Sequence, residues 1–276
     1  MNTWRLLLHP TPARGAWNMA ADEAILEACG RGESLPTLRL YAWAPSCLSL
    51  GYAQPLTDVD LPRLQSRGWD LVRRPTGGRA VLHTDELTYS VIAPLGEPRL
   101  SGTLLDSYQR LANALVAALR ALGLPAEIEG ESHSAAAGRT VNPVCFDVPS
   151  TYEITVRGKK LLGSAQSRRR DGILQHGSLP LTGDLTRILQ ALSYPDEERR
   201  ARAASRLLDR AATVEALLGR PVTWEEAAQA FIGTFREVLQ LDLQPGELTP
   251  RESARAAELA ETKYAHPERK GISRVS

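Results

Sequence analysis

The chain has 276 residues, of which 43% are hydrophobic and 24% charged, and its 33 Lys and Arg against 32 Asp and Glu leave a formal net charge of +1. That is ordinary composition for a globular protein, without the basic excess of a nucleic-acid binder or the basic amphipathic helix of a membrane-surface protein. The apolar core near the N-terminus, Leu6-Leu7-Leu8, is too short for a signal peptide, and no apolar run reaches membrane-spanning length, so the expected location is the cytoplasm.

Residues 3–9 read as a first strand, and residues 16–29 as a helix with Met19, Ala21, Ala24, Ile25 and Ala28 on its apolar face. Residues 37–42 and 46–52 are β-like runs around Ala44-Pro45. Residues 61–67 read as a short helix ending at Gly68, and residues 69–73 as a strand running into a glycine-containing turn. Residues 86–93 are a further strand. The plainest helix is 103–122, with Leu104, Tyr108, Leu111, Leu115, Leu119 and Leu122 at steps of three or four and Gly123 after it. Residues 131–143 read as a loop. Runs 151–157 and 160–167 flank Arg157-Gly158-Lys159, a hairpin turn, and residues 173–181 add one more strand.

After Gly183 strand signals vanish, and Ala, Leu, Arg and Glu dominate. Thr223-Trp224-Glu225-Glu226 and Thr249-Pro250-Arg251-Glu252 are capping boxes that open helices. The expected layout is an α/β body over residues 1–183, extending to about 200, a helical part over 184–264 packed on it, and a tail over 265–276.

Three segments carry chemistry. Arg73-Arg74-Pro75-Thr76-Gly77-Gly78-Arg79, running on to His83, follows a strand. Its glycines let backbone approach a ligand, its amides suit an anion or a carbonyl oxygen, and its arginines suit a phosphate. The second segment is Asn142-Pro143-Val144-Cys145-Phe146-Asp147-Val148-Pro149-Ser150, a cysteine on backbone stiffened by prolines. The third joins Gly158-Lys159-Lys160-Leu161-Leu162-Gly163-Ser164-Ala165-Gln166 to Gln175-His176-Gly177-Ser178. Taken singly, each has a plain structural reading: a tight turn, a buried cysteine, and a hairpin with a core histidine. The three cysteines, Cys29, Cys47 and Cys145, are odd in number and lack CxxC spacing, which speaks against a disulfide framework or a metal site. Cys29 and Cys47 are expected in the core, and Arg168-Arg169-Arg170 on a solvated face.

In this order the segments resemble the lipoate-protein ligase and octanoyltransferase family, over residues 30 to 200. The resemblance implies the catalytic fold shared with biotin protein ligases, with mixed, largely antiparallel sheets flanked by helices. Val144-Cys145-Phe146, Pro149-Ser150-x-Tyr152-Glu153, Gly163-Ser164-Ala165-Gln166 and Gln175-His176-Gly177-Ser178 are most similar to the branch that moves octanoyl from an acyl carrier protein to a protein lysine. It implies a thioester on Cys145, with Lys160 favouring the thiolate. It also implies a substrate site made of Arg74, Thr76, Gly77, Gly78, Arg79, His83, Gly163, Ser164, Ala165 and His176. No cofactor is implied: octanoyl arrives on the phosphopantetheine of octanoyl-acyl carrier protein, ATP is not expected, and the acceptor is a lipoyl-domain protein such as the glycine-cleavage H protein.

Two residues depart from the family pattern. Arg79 stands where ATP-using ligases carry a third glycine, and Thr84 follows His83 where many relatives have aspartate. Three other readings remain: an ATP-dependent lipoate-protein ligase, an amidotransferase moving octanoyl between lipoyl domains, and a non-catalytic module that binds them.

Overall fold

The computed structural model describes residues 2–129 and 153–269. Its elements are β1 (Thr3–Ala13), α1 (Gly15–Gly30), β2 (Thr37–Trp43), β3 (Cys47–Leu50), α2 (Leu61–Ser66), β4 (Asp70–Arg73), β5 (Val81–His83) and β6 (Glu86–Ala93). There follow α3 (Leu104–Ala121), β7 (Ala126–Glu129), β8 (Glu153–Val156), β9 (Lys159–Arg169) and β10 (Gly172–Pro180). The chain then forms α4 (Glu197–Arg210), α5 (Val214–Leu218), α6 (Trp224–Val238), β11 (Asp242–Pro245) and α7 (Pro250–Leu259). One sheet runs β11-β1-β2-β6-β10-β9-β8-β7 and a smaller one β4-β3-β5. β1 is parallel to β2 and β11, and β3 to β4. The remaining pairings between these strands are antiparallel, so the fold is the mixed, largely antiparallel α/β class expected.

Alternation along the strands assigns the two faces of the large sheet. Leu6, Leu38, Leu40, Tyr89 and Val91 pack against α3 and α6. Leu7, Ile92 and Leu174 meet Ile25, Leu26 and Cys29 of α1. Helix α1 is covered in turn by Ala256 and Leu259 of α7. The small sheet has its own core, where Leu48 and Leu50 meet Leu64 of α2 and Leu207 of α4.

The hairpin after β8 turns on Arg157 and Gly158, at φ 53° and 73°, the left-handed pair that a two-residue turn of this twist requires. The Thr249 capping box is reciprocal, whereas Thr223 caps one way only, because Glu226 pairs with Arg220 instead. Thr103 and Asp106 form a capping box that sequence reading passed over, since aspartate replaces the usual glutamate. Beyond residue 183 the expectation of no strand is corrected: β11 joins the sheet beside β1, with Thr3 opposite Asp242. Only Leu243 of its four residues is buried, so its composition reads as polar loop. The loop expected over 131–143 lies outside the described residues.

A buried ion pair ties α1 to the sheet. Arg39 of β2 is fully buried, as is Asp22 of α1. Arg39 Nη1 donates to Asp22 Oδ1 at 2.8 Å, Nη2 to Asn18 Oδ1 at 2.7 Å, and Nε to His9 Nδ1 at 3.0 Å. The other carboxylate oxygen accepts from Ser90 Oγ at 2.6 Å and Tyr41 Oη at 3.2 Å. Burial alone would push the Asp22 carboxyl up, but Arg39 and the contacts from His176 and Ser90 outweigh it and hold it below its ordinary value. Arg39→Met strands that charge without its cation. The variant is expected to lose about 3–5 kcal/mol of stability, measured by urea unfolding.

The contact to Arg39 also requires His9 Nδ1 to be unprotonated. Burial, then the Arg39 charge, brings His9 down from 6.5 to about 4. Unfolded His9 therefore takes up a proton that the folded state refuses, and stability falls as pH drops from about 6.5 towards about 4. Urea midpoints are expected to be lower at about pH 5 than at about pH 7, with a shallower dependence in His9→Gln.

Candidate functional site

Strand register brings two of the sequence motifs together. β9 and β10 pair antiparallel with Gly163 opposite Ser178, Ser164 opposite Gly177, Ala165 opposite His176 and Gln166 opposite Gln175. On the next strand Ser90 lies opposite His176 and Thr88 opposite Ser178, and beyond them Arg39 and Tyr41 of β2. Residues directly opposite share a face. Two polar rows therefore cross four strands on the α1 side: Arg39, Ser90, His176, Ala165 and, next to it, Tyr41, Thr88, Ser178, Gly163.

The loop of residues 74–80 lies over the end of these rows, and its arginines build it. Arg74 donates to the carbonyls of Ser49, Gly77 and Arg79 at 3.0, 2.9 and 2.6 Å, and to Ser49 Oγ at 3.1 Å. Arg73 holds the carbonyls of Gly51, Tyr52 and Gln54. Both guanidinium groups therefore brace the loop. Gly78 has φ +90°, and a methyl on Gly51 would stand 1.9 Å from the Gly78 carbonyl oxygen. The two glycines thus allow the loop to lie against the end of β3. Gly77 and Gly78 are exposed, and Arg79 is half-buried.

Thr76 is buried, and its Oγ1 lies 2.6 Å from His176 Nε2. His176 Nδ1 is 3.7 Å from Asp22 Oδ2. Burial lowers the His176 pKa, against the pull of Asp22, and so favours the neutral ring. His83 is held on both ring nitrogens, by Ser49 Oγ at 2.8 Å and Glu86 Oε1 at 2.7 Å, and stacks on Trp43 at 4.0 Å. Glu86 also accepts from Thr88 and Ser178. Burial would raise the Glu86 carboxyl, yet His83 and these hydrogen bonds keep it low. Thr84, the residue after His83, accepts from Arg187 at 3.1 Å, away from the ring.

A small cavity lies between the loop and the rows. Met19, Tyr41, Trp43 and Val81 give it apolar walls. Of the residues expected in a substrate site, Arg74, Gly78, His83, Gly163, Ser164, Ala165 and His176 line it, and Thr76, Gly77 and Arg79 belong to its loop. Ser164 Oγ is 2.7 Å from Tyr89 Oη, which accepts from Gln175 at 2.9 Å. Lys160 is not among the lining residues. It lies earlier on β9, buried, with Nζ 2.7 Å from Glu153 Oε1. Cys145 lies outside the described residues. Cys29 and Cys47 are buried, and burial pushes the first thiol up to about 12 and the second well above the ordinary value, so neither supplies a thiolate.

Sequence reading missed Asp22, Trp43, Ser49, Glu86 and Tyr89. Asp22 alone left a trace, as a charge within the apolar face of α1 between Met19 and Ile25. Glu153 stood in a quoted motif without a role, and here it meets Lys160. Arg168 is not on a solvated face: it holds the carbonyls of Leu100, Gly102 and Thr103.

Residues 14–236 match the model of the lipoyl protein ligase A/B catalytic domain. A protein of Kyrpidia tusciae named an octanoyltransferase is 44% identical over 265 residues, 94% of this chain and 95% of that one. A Symbiobacterium thermophilum protein of the same name is 43% identical, covering 95% of each chain. A bipartite archaeal lipoate protein ligase from Thermoplasma acidophilum superposes with a TM-score of 0.81 at 28% identity, over 100% of this chain and 99% of that one. Among the described residues, no helix is long and apolar enough to cross a membrane.

Gly51→Ala forces the Gly78 carbonyl to move. Turnover at this site is expected to fall by about 10²-fold, as for a misplaced reacting group, with less loss of stability than in Arg39→Met. Paired activity and urea measurements check this.

Proposed function

The chain belongs to the lipoyl protein ligase A/B catalytic domain family and is an acyltransferase; we propose that it moves octanoyl from octanoyl-acyl carrier protein to a lysine of a lipoyl-domain protein, through a thioester on Cys145. The observation that carries this reading is its near-full-length similarity to proteins named octanoyltransferases. The proposed acceptor is the glycine-cleavage H protein.

The chemistry needs no ATP, because converting a thioester to an amide is downhill. The Cys145 thiolate attacks the donor carbonyl, and the phosphopantetheine thiolate leaves and takes up a proton. The neutral amine of the acceptor lysine then attacks the enzyme thioester. Cys145 leaves, and the amide nitrogen loses its extra proton. Each half is an ordinary acyl exchange, which is what a covalent relay provides. Cys145 is the thiol left for this role, since burial keeps Cys29 and Cys47 protonated. In this reading the Lys160 ammonium favours the attacking thiolate, and Glu153 holds that ammonium in place. The apolar cavity walls suit an alkyl chain, at about 0.8 kcal/mol for each buried methylene. Exposed amides at Gly77 and Gly78 suit the developing oxyanion.

The likeness to the archaeal ligase favours a second reading, ATP-dependent activation of lipoate or octanoate. Intact mass separates the two. With octanoyl-acyl carrier protein and no ATP, the enzyme is expected to gain one octanoyl group that hydroxylamine removes, that Cys145→Ser lacks, and that apo H protein discharges. Lys160→Gln is expected to slow acylation about tenfold at neutral pH, equivalent to one pKa unit at the thiol, with recovery in alkali. Modification of an acceptor lysine only when ATP and free acid are supplied, with no adduct, would establish the ligase instead.

A further inference from the structure

A second, larger cleft adjoins the first and shares Arg74 with it. Its walls come from the Arg73-Arg74-Pro75 segment, the β9–β10 turn over residues 168–171, and the C-terminal stretch from Lys263 to Arg269. Among the described residues, seven arginine and lysine side chains line it against two carboxylates, Glu23 and Asp171. In a chain of net charge +1 this is a strong local concentration. Part of it is already committed. Arg73, Arg74 and Arg168 hold carbonyl oxygens. Lys263 lies 2.6 Å from Glu23, and Arg169, which donates to the Pro75 carbonyl at 3.1 Å, is 3.8 Å from the same carboxylate. Exposed Arg170 and Arg269 remain at the mouth, the latter 3.8 Å from Glu268.

Like charges gathered in a concavity repel one another, and the field they focus draws an anion. Guanidinium groups match phosphate oxygens in geometry as well as charge. We infer that this cleft seats the phosphate of the donor's phosphopantetheine arm, an assignment that rests on the octanoyl-transfer reading above. The arm carries its thioester at one end and its phosphodiester at the other. The two clefts match that order, with an apolar cavity for the acyl chain, a cationic one for the phosphate, and Arg74 between them. A recessed cleft suits a slender linear group better than the broad face of a folded partner. Nucleotide phosphates share this chemistry, and the experiment separates them from the arm.

Three octanoyl thioesters serve as donors: pantetheine, phosphopantetheine, and the acyl carrier protein itself. Acylation of the whole enzyme is followed by mass. The wild type is expected to favour the phosphopantetheine ester over the pantetheine ester at least tenfold in kcat/KM. In the Arg170→Glu, Arg269→Glu double variant that ratio is expected to fall towards one, and carrier-protein acylation to fall in parallel. An unaltered ratio, with or without weaker use of the carrier protein, overturns the assignment while leaving octanoyl transfer intact. ATP-dependent use of free octanoate that the double variant loses would assign the cleft to a nucleotide and overturn it too. No acylation by any of the three donors would sink the functional reading and the assignment together.

Discussion

A carboxylate removed from water, Asp22, is the constraint on which the site depends. A buried charge is tolerated only when every lone pair finds a donor. Meeting that demand fixes Arg39, Tyr41 and Ser90 on two strands and seats α1 over them. The same carboxylate faces the His176 ring, and His176 meets Thr76 in the ligand loop. The loop is thus referenced to the centre of the large sheet, although its own strands belong to the small one. A second buried carboxylate, Glu86, does the same for His83 and Ser178 from the other side.

Polar rows on one face of a sheet would be exposed in many folds. Here α1 and the small sheet enclose them, and a cavity forms where the two coverings fail to meet. Its walls combine indole, phenol and aliphatic surface with buried hydroxyl and imidazole groups. An acyl group needs apolar cover along its chain and directional polar contacts at its carbonyl end. The contribution of each motif comes from pairing: Gly163 and Ser164 matter because Ser178 and Gly177 lie opposite them.

Much of the fold was legible because it rests on local periodicity. The apolar spacing from Leu104 to Leu122 announced α3, and Arg157-Gly158 announced a hairpin. The candidate site was legible as motifs and not as geometry. Arg74 read as a ligand for anions, and only the tertiary fold shows its donors spent on carbonyls. Asp22 showed only as a charge within an apolar helix face, since its partners Arg39, Tyr41 and Ser90 come from strands distant in sequence, and Glu86 gave no sign of its contact with Ser178 on β10. β11 was missed for a related reason. A strand on the sheet edge that buries one side chain carries almost no alternation, and its identity lies in the partner, β1.

That pairing has a temporal side. During synthesis β1 waits for its outer neighbour until some 240 residues have followed, as Thr3 pairs with Asp242. Helix α1 waits longer still for α7 to cover it. Contacts of such long sequence separation form late and slowly. Until those residues have been made, the nascent chain carries an unfinished sheet edge and an uncovered apolar helix, surfaces that chaperones recognise and that invite aggregation. Completion of the site's scaffold therefore waits on residues more than 200 positions beyond its first strand.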